Sequence, residues 1–335
     1  MGHDIDAARH RRIPAIALFL VKRFATFVIT LLAASLVVFA VLDLLPGNVA
    51  QVMLGESATP EAVAALTSKL GLDQPAWQRY GHWLQGLATL QLGDSYSYSA
   101  PVTELIAQRL VVTVPLALMA MVLTTTIALV VGIYAASHHN RAGDIGVMAV
   151  SQVGIAIPNF WFAILLVHLF AVKLGWISAG DFAGWTEEEG GGLWDGLRSL
   201  LLPSISLAVV QAAILARFTR SAVLDVLRED FVRTARAKGL GTRAVLWRHV
   251  LRNAFVPVLT VMGLQFATLV TGTIVVEQVF SLPGLGRLIF QAISNRDVVL
   301  VQNIVMLLAA VVIAINFVVD VLYAVIDPRL KLHAA

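Results

Sequence analysis

The chain has 335 residues, 58% of them hydrophobic and 13% charged, with a formal net charge of +3 and no cysteine. A soluble domain carries roughly a quarter charged residues, so this composition excludes one. The absence of cysteine excludes disulfides, thiolate metal sites and a cysteine nucleophile.

The apolar excess is gathered into runs long enough to cross a bilayer, which takes about 20 helical residues. Basic residues (His10, Arg11, Arg12, Lys22, Arg23) precede the first run, over 24–45. That run is too long for the core of a signal peptide and no small-residue cleavage site ends it, so a retained first span is expected after a 1–23 tail. The 46–110 segment reads as a large external loop. Within it Val63, Leu66 and Leu70 recur at helical spacing after the start signal Thr59-Pro60-Glu61. A second short helix is expected over 75–88, with Pro75 suited to its first turn. Further spans are expected over about 111–136, 146–172, 200–217, 255–276 and 302–326, the fourth being shortest because Pro203 and Arg217 bound it. In the 173–199 connection, Trp176, Trp185 and Trp194 suit a membrane interface, and "EEEGGG" reads as a mobile tip.

Orientation follows from lysine and arginine. The segment Arg217 to Arg252 holds nine of them, whereas 173–199 holds only Lys173 and Arg198 beside Asp181, Glu187, Glu188, Glu189 and Asp195. The positive-inside rule therefore places both termini (1–23 and 327–335) and the 218–254 loop in the cytoplasm. The expected fold is an all-α membrane protein of six transmembrane helices, N-in and C-in, with 111–326 as the core transmembrane domain. Membrane orientation accounts for the positive charge, so membrane lipid and not nucleic acid is the expected surface partner.

Several chemistries lack their residues. No glycine is followed by lysine, so there is no G-x-x-x-x-G-K-[ST] phosphate loop. There is no H-E-x-x-H metal pair and no G-x-S-x-G nucleophile elbow. Ionisable residues in the spans are few: Asp43, His168, Asp320 and, at an edge, Glu277. Such residues default to functional hypotheses. Asp43 and Glu277 are expected near span ends within reach of water, and Asp320 is expected to snorkel or pair with a base. No aligned set of acids suggests a proton relay, and no internal repeat suggests the inverted halves of secondary carriers.

The stretch "REDFVRTARAKGLGTRAVLWRHVLRNAF" (228–255) carries seven cations against two acids. Val223, Val226, Leu227 and Phe231 repeat at helical spacing from about Ser221, and the helix is expected to stop at Gly239. A second helix through Ala244, Val245, Trp247 and Val250 is expected to break before Pro257. Two short helices hinged at a glycine form a knob whose small residues (Thr234, Ala235, Ala237) admit close approach. The alternative is a basic loop lying on anionic lipid. "EQVFSLPGLGRL" (277–288) reads as a turn at the outer face, from Glu277 and Phe280 through Ser281, Pro283, Gly284 and Gly286, followed by an amphipathic segment over 288–293. Such backbone at membrane depth needs cover from protein or an aqueous cavity. It is expected to be an outer gate or binding-protein contact, the alternative being an ordinary reverse turn. Asn159, Gln211, Gln265 and Asn316 are candidates for a translocation path, or else helix–helix glue.

The knob resembles the cytoplasmic loop of permease subunits in bacterial ABC importers for dipeptides and oligopeptides. The resemblance extends to "LLPGNVAQVMLGESATPEAVAALTSKLGLDQP" (44–75), "GDSYSYSAPVTELIAQRLVVT" (93–113), "ARFTRSAVLDVL" (216–227), "EQVFSLPGLGRLIFQAI" (277–293) and the ending "DPRL". The wider superfamily has a loop signature E-A-A-x-x-x-G, for which this chain has Arg233, Thr234, Ala235 and Gly239, so arginine stands where the acid would be. The resemblance implies a type I ABC importer permease fold in the bacterial cytoplasmic (inner) membrane. It implies coupling through Arg233, Thr234, Ala235, Arg236, Ala237, Lys238, Gly239, Leu240 and Gly241 to two ATP-binding subunits, with a second homologous permease and an extracytoplasmic substrate-binding protein. This chain would be non-catalytic and bind no metal or cofactor, ATP and Mg2+ belonging to the partners. Dipeptides or oligopeptides are the expected substrates, with nickel chelates, glutathione or oligosaccharides as alternatives within the branch. A stand-alone ion-coupled carrier is the alternative outside it. An intramembrane enzyme is disfavoured by the missing nucleophile and metal motifs.

Overall fold

The computed structural model describes residues 3–44, 49–55, 58–69, 71–176, 180 and 182–326. A long first helix, α1 (His3–Asp43), is followed by three short ones, α2 (Val49–Leu54), α3 (Pro60–Lys69) and α4 (Ala76–Thr89). A two-residue hairpin pairs β1 (Asp94–Ser95) antiparallel with β2 (Ala100–Pro101) and leads into α5 (Val102–Ser137). Then come α6 (Ala142–Ala156), α7 (Asn159–Leu166) continued by a π-helical turn Val167–Lys173, and α8 (Leu193–Leu227). The basic loop holds α9 (Asp230–Ala237) and α10 (Thr242–Val245), which runs through a π-helical turn Leu246–Val250 into α11 (Leu251–Val279). α12 (Leu285–Ser294) and α13 (Val298–Ile326) complete the fold.

Among the described residues, five helices are long and apolar enough to cross a membrane: Leu18–Asp43, Val102–Ser137, Leu193–Leu227, Thr242–Val279 and Val298–Leu322. By length and composition the bent pair Ala142–Ala156 and Asn159–Lys173 adds a sixth when its halves are taken as one span. The protein is a multi-pass membrane protein.

Three spans depart from expectation. The third is no single rod: its halves meet at 98° at Ile157–Pro158. Proline disfavours the helical region for the residue before it, and Ile157 is extended (φ −87°, ψ 123°). The fourth, expected shortest, belongs to the 35-residue α8, which passes through buried Pro203 and carries Asp195, Arg198, Arg217, Arg220 and Asp225 beyond its apolar part. The fifth does not break before Pro257 but runs from Thr242 to Val279 as one 38-residue helix. Proline inside a membrane helix is tolerated where neighbouring groups absorb the freed carbonyl. The 221–239 helix is instead interrupted after Leu227, where Glu229 is extended (φ −67°, ψ 148°) and begins α9.

Four apolar clusters follow one another along α5. At its start Val102, Leu105 and Ile106 pack with Leu285, Leu288 and Ala292 of α12 and Leu300 and Ile304 of α13. Next, Val112, Leu116 and Ala120 meet Leu200, Leu207, Leu269, Val276 and Phe280. Then Ala128 meets Ala212, Leu215 and Val258. At the end Ala136 joins Val223, Leu224, Val232, Ala235, Val245 and Val250. Small residues set the closest crossings: a side chain on Gly132 would strike Ala216 O and Thr219 of α8, and one on Gly263 would strike Val319 of α13. Outward, Val21, Ile29, Val37, Val122 and Val130 are exposed, an apolar skin suited to lipid.

α1 lies at the rim against α13 and α4. Arg79 of α4 pairs with Asp43 at 2.6 Å, and Arg23 pairs with Asp320 at 3.2 Å, so both acids of these spans have a basic partner. Ser35 Oγ and Tyr80 Oη share a hydrogen bond of 2.8 Å, and Phe39 stacks on Trp83. His168 is exposed on the π-helical turn. The 173–199 connection is better anchored than its glycines suggest. Glu189 Oε2 accepts from the Trp185 backbone N–H at 2.7 Å, and Trp185 Nε1 donates to Val111 O at 2.8 Å. Trp185 therefore packs on α5, whereas Trp176 and Trp194 are exposed. Leu70, Asp181 and the "DPRL" ending lie outside the described residues.

Candidate functional site

The basic knob is a hairpin of short helices closed by glycine. α9 ends with Leu240 N–H donating to Ala235 O and Gly239 N–H to Arg236 O, around Gly239 at φ +83°. That left-handed position favours glycine. Gly241 is extended and starts α10, accepting the Val245 N–H at 3.0 Å. Ala235 is turned inward with Val232, and with Val245 and Val250 it roots the knob on the ends of α5 and α8. Arg233, Thr234, Arg236, Ala237, Lys238, Gly239, Leu240 and Gly241 are all exposed. Phe231, Leu240 and Trp247 put apolar surface among these cations. Arg233 Nη1 pairs with Asp230 at 3.2 Å, three residues earlier on its own helix, with both side chains in solvent.

Beside the knob lies a polar cluster that sequence reasoning missed. Arg220 of α8 grips Asp144 of α6 with two hydrogen bonds, Nε to Oδ1 at 2.5 Å and Nη2 to Oδ2 at 2.7 Å. The Asn140 backbone N–H donates to the same carboxylate at 2.9 Å, and His139 Nδ1 lies 3.3 Å from it. The pair staples the start of the broken span to α8.

At the far end of α11 the turn is built around Glu277. Its carboxylate is fully buried, against the expectation of a water-exposed span end. Thr113 Oγ1 donates to Oε1 at 2.6 Å, and the Gly286 backbone N–H donates to Oε2 at 2.6 Å. Thr113 Oγ1 in turn accepts the Leu285 N–H at 2.9 Å. Two glycines make this fit possible: a β-carbon on Gly284 would overlap the Glu277 carboxyl, and one on Gly286 the Ile274 backbone. Phe280 and Leu282 plug the second apolar cluster. Of the six residues expected to form a gate or contact surface, Glu277, Phe280, Gly284 and Gly286 are buried, Pro283 is half-buried, and Ser281 (φ +53°) is exposed. The turn is held from inside.

A second carboxylate secures the neighbouring hairpin. Asp297 accepts from Ser95 Oγ at 2.5 Å, Ser97 N–H at 3.1 Å and, as the cap of α13, Leu300 N–H at 3.1 Å. Asn303 receives Trp83 Nε1–H and donates to Leu92 O, both at 3.1 Å. Burial raises the Tyr96 phenol above its ordinary pKa, and the nearby Asp297 charge adds to that. The apolar run after Asp297 was the legible signal of a cap. Thr113, inside an apolar run, gave no signal.

The four candidate path residues do not converge. Gln265 Nε2 donates to Gln211 O at 3.3 Å, and both side chains are buried between α11 and α8. Asn159 opens α7 beside Gly272 of α11. Asn316 lies apart, in a crevice of about 120 Å³ between α1 and α13 with Arg23, Thr26 and Asp320.

Comparison with known proteins fits this geometry. Residues 128–332 match the family described as binding-protein-dependent transport system inner membrane component, and residues 16–117 match that system's N-terminal membrane component. A di/tripeptide transport system permease protein of Pseudomonas aeruginosa is 40% identical, over 93% of this chain and 98% of its own. A glutathione transport system permease protein of Salmonella choleraesuis is 39% identical, again over 93% and 98%. Among solved structures, a chain of the MetNI methionine ABC transporter in an inward-facing form superposes with a TM-score of 0.54 at 16% identity, covering 67% of this chain and 96% of that one. The fold is thus that of an ABC importer permease of type I.

Proposed function

Because the chain belongs to the family of binding-protein-dependent transport system inner membrane components, we propose that it is the permease subunit of an ATP-driven importer of short peptides in the bacterial inner membrane. With a second homologous permease it forms the translocation path. Two ATP-binding subunits, which hold ATP and Mg2+, take the knobs of the two permeases into their surfaces. An extracytoplasmic binding protein delivers peptide to the opposite end. On this reading the 1–23 tail, the 218–254 loop and the 327–335 tail are cytoplasmic, and the 46–110 segment faces outward.

One observation carries the reading. The knob is rooted by Val232, Ala235, Val245 and Val250 while its cations face away from the chain, and its second helix continues without a break into the 38-residue helix Thr242–Val279. A push on the exposed surface is transmitted along that helix to Glu277 and the outer turn. The ATP-binding subunits do the hydrolysis, and this chain converts their closure into movement of its outer end.

The test is Gly239→Val in the complete transporter. No atom lies within 4 Å of a β-carbon at that position, so the valine meets backbone strain and any docking partner but no clash within the chain. The expected result is normal insertion with loss of ATP-driven peptide uptake and of ATPase stimulation by loaded binding protein. Gly239→Asn, which tolerates a positive φ better, should recover part of both. Uptake unaffected by valine would reject the docking role, and uptake in membranes lacking the ATP-binding subunits would replace the importer with an ion-coupled carrier.

A further inference from the structure

Next to the Glu277 turn, and distinct from it, lies an outer cavity of about 530 Å³. This is within the range of small-molecule clefts. Tyr98 of the hairpin loop, Gln278 of α11, Arg287, Gln291 and Ser294 of α12, and Asn295 after it line the cavity. The wall offers hydroxyls, side-chain amides, one guanidinium and the ring of Phe290, and no carboxylate lines it.

Arg287 is held in place without being neutralised. Its Nη1 donates to Ser281 O at 2.8 Å, and its backbone follows Gly286, whose N–H is bonded to the buried Glu277 carboxylate. Among the described residues no acid lies within ion-pair distance of it. The acid behind the cavity wall, Asp297, is occupied by Ser95, Ser97 N–H and Leu300 N–H. A guanidinium has five N–H donors, so most of the fork remains for a ligand. Tyr98 Oη donates to Gln291 Oε1 at 2.9 Å, which fixes that amide and leaves its nitrogen for a ligand carbonyl.

We propose that this cavity is a subsite for the carboxylate end of the peptide. Arg287 pairs with the C-terminal carboxylate in the bidentate manner that its planar fork favours, and the amides of Gln278, Gln291 and Asn295 exchange hydrogen bonds with the adjoining peptide group. With no acid in the wall, the peptide's ammonium end points out of the cavity. This inference rests on the peptide-importer reading and adds to it a residue that selects for a free carboxylate.

The natural chain has no cysteine, so Ser294→Cys introduces a single thiol at the cavity wall. In the complete transporter without binding protein, the labelling rate of that thiol by a charged thiosulfonate reagent is followed by the mass of this chain. Dialanine should slow labelling and dialanine amide should not. Arg287→Gln should weaken the protection by about tenfold or more, with Arg287→Lys between the two. Labelling indifferent to dialanine overturns the subsite, as do equal protection by the amide and protection that survives Arg287→Gln. ATP-driven uptake of labelled dialanine by the unmodified transporter with its binding protein separates the two claims. Uptake without protection rejects only the subsite, whereas absence of peptide uptake rejects the importer reading on which it rests.

Discussion

The two ends of the Thr242–Val279 helix are built in opposite ways. In the knob at the basic end the interior is small and apolar and the polar groups face outward: Arg233, Arg236 and Lys238 are exposed, and the Arg233–Asp230 pair is in solvent, the buried Arg220–Asp144 pair lying beside the knob and not in it. At the other end the polar groups are inside, where a fully buried carboxylate gathers a threonine hydroxyl and the Gly286 backbone N–H. Buried, satisfied hydrogen bonds fix a shape because leaving any of them open is expensive. Solvated charges fix little by themselves and remain free for another molecule. One end keeps its own geometry, and the other is shaped for someone else's.

The largest effect that tests this contrast is expected from Glu277→Ala. It leaves the Thr113 hydroxyl and the Gly286 backbone N–H buried without an acceptor, at about 1–3 kcal/mol each. Thermal unfolding of the purified chain should fall steeply, and Glu277→Gln, which keeps one acceptor, should fall less. A melting temperature equal to the natural protein's would mean that the hub does not hold the outer turn. Next in size is Asp144→Ala, which leaves the Arg220 guanidinium partly buried and unpaired at a cost of about 3 kcal/mol. The Asp144→Ala/Arg220→Met double variant should recover part of the loss, and melting curves of the three variants measure the coupling. Gly286→Ala should cost about 1–3 kcal/mol by forcing α12 away from Ile274; cysteine accessibility on α12 would report the displacement. Smallest is Arg233→Ala, expected to leave the melting curve unchanged while lowering ATP-driven uptake. A large stability loss there would erase the distinction between the two ends.

Hydropathy made the number of spans legible, because a bilayer leaves helices few alternatives. The glycine-hinged knob was legible because Gly239 occupies a position that only a left-handed turn explains. Direction within the membrane was not: the apolar run through Ile157–Pro158 looks continuous, and only the proline marks the corner. The length of α8 was underread because its charged ends leave the apolar window while the helix continues. Depth was also misread at Glu277, whose partners Thr113 and Gly286 come from separate parts of the chain. Asp297 and Ser95 meet across 202 residues, a pairing that no local pattern encodes.

The corner between α6 and α7 has a consequence for assembly. A helix that turns through 98° cannot carry its hydrogen-bond ladder across the bend, and Pro158 lacks an N–H to begin the next turn. Ala156 and Pro158 are open to the surroundings in the isolated chain. Hydrocarbon cannot solvate the carbonyls stranded at such a bend. At membrane depth such a bend needs cover from water, from polar side chains or from the flank of another helix or protein.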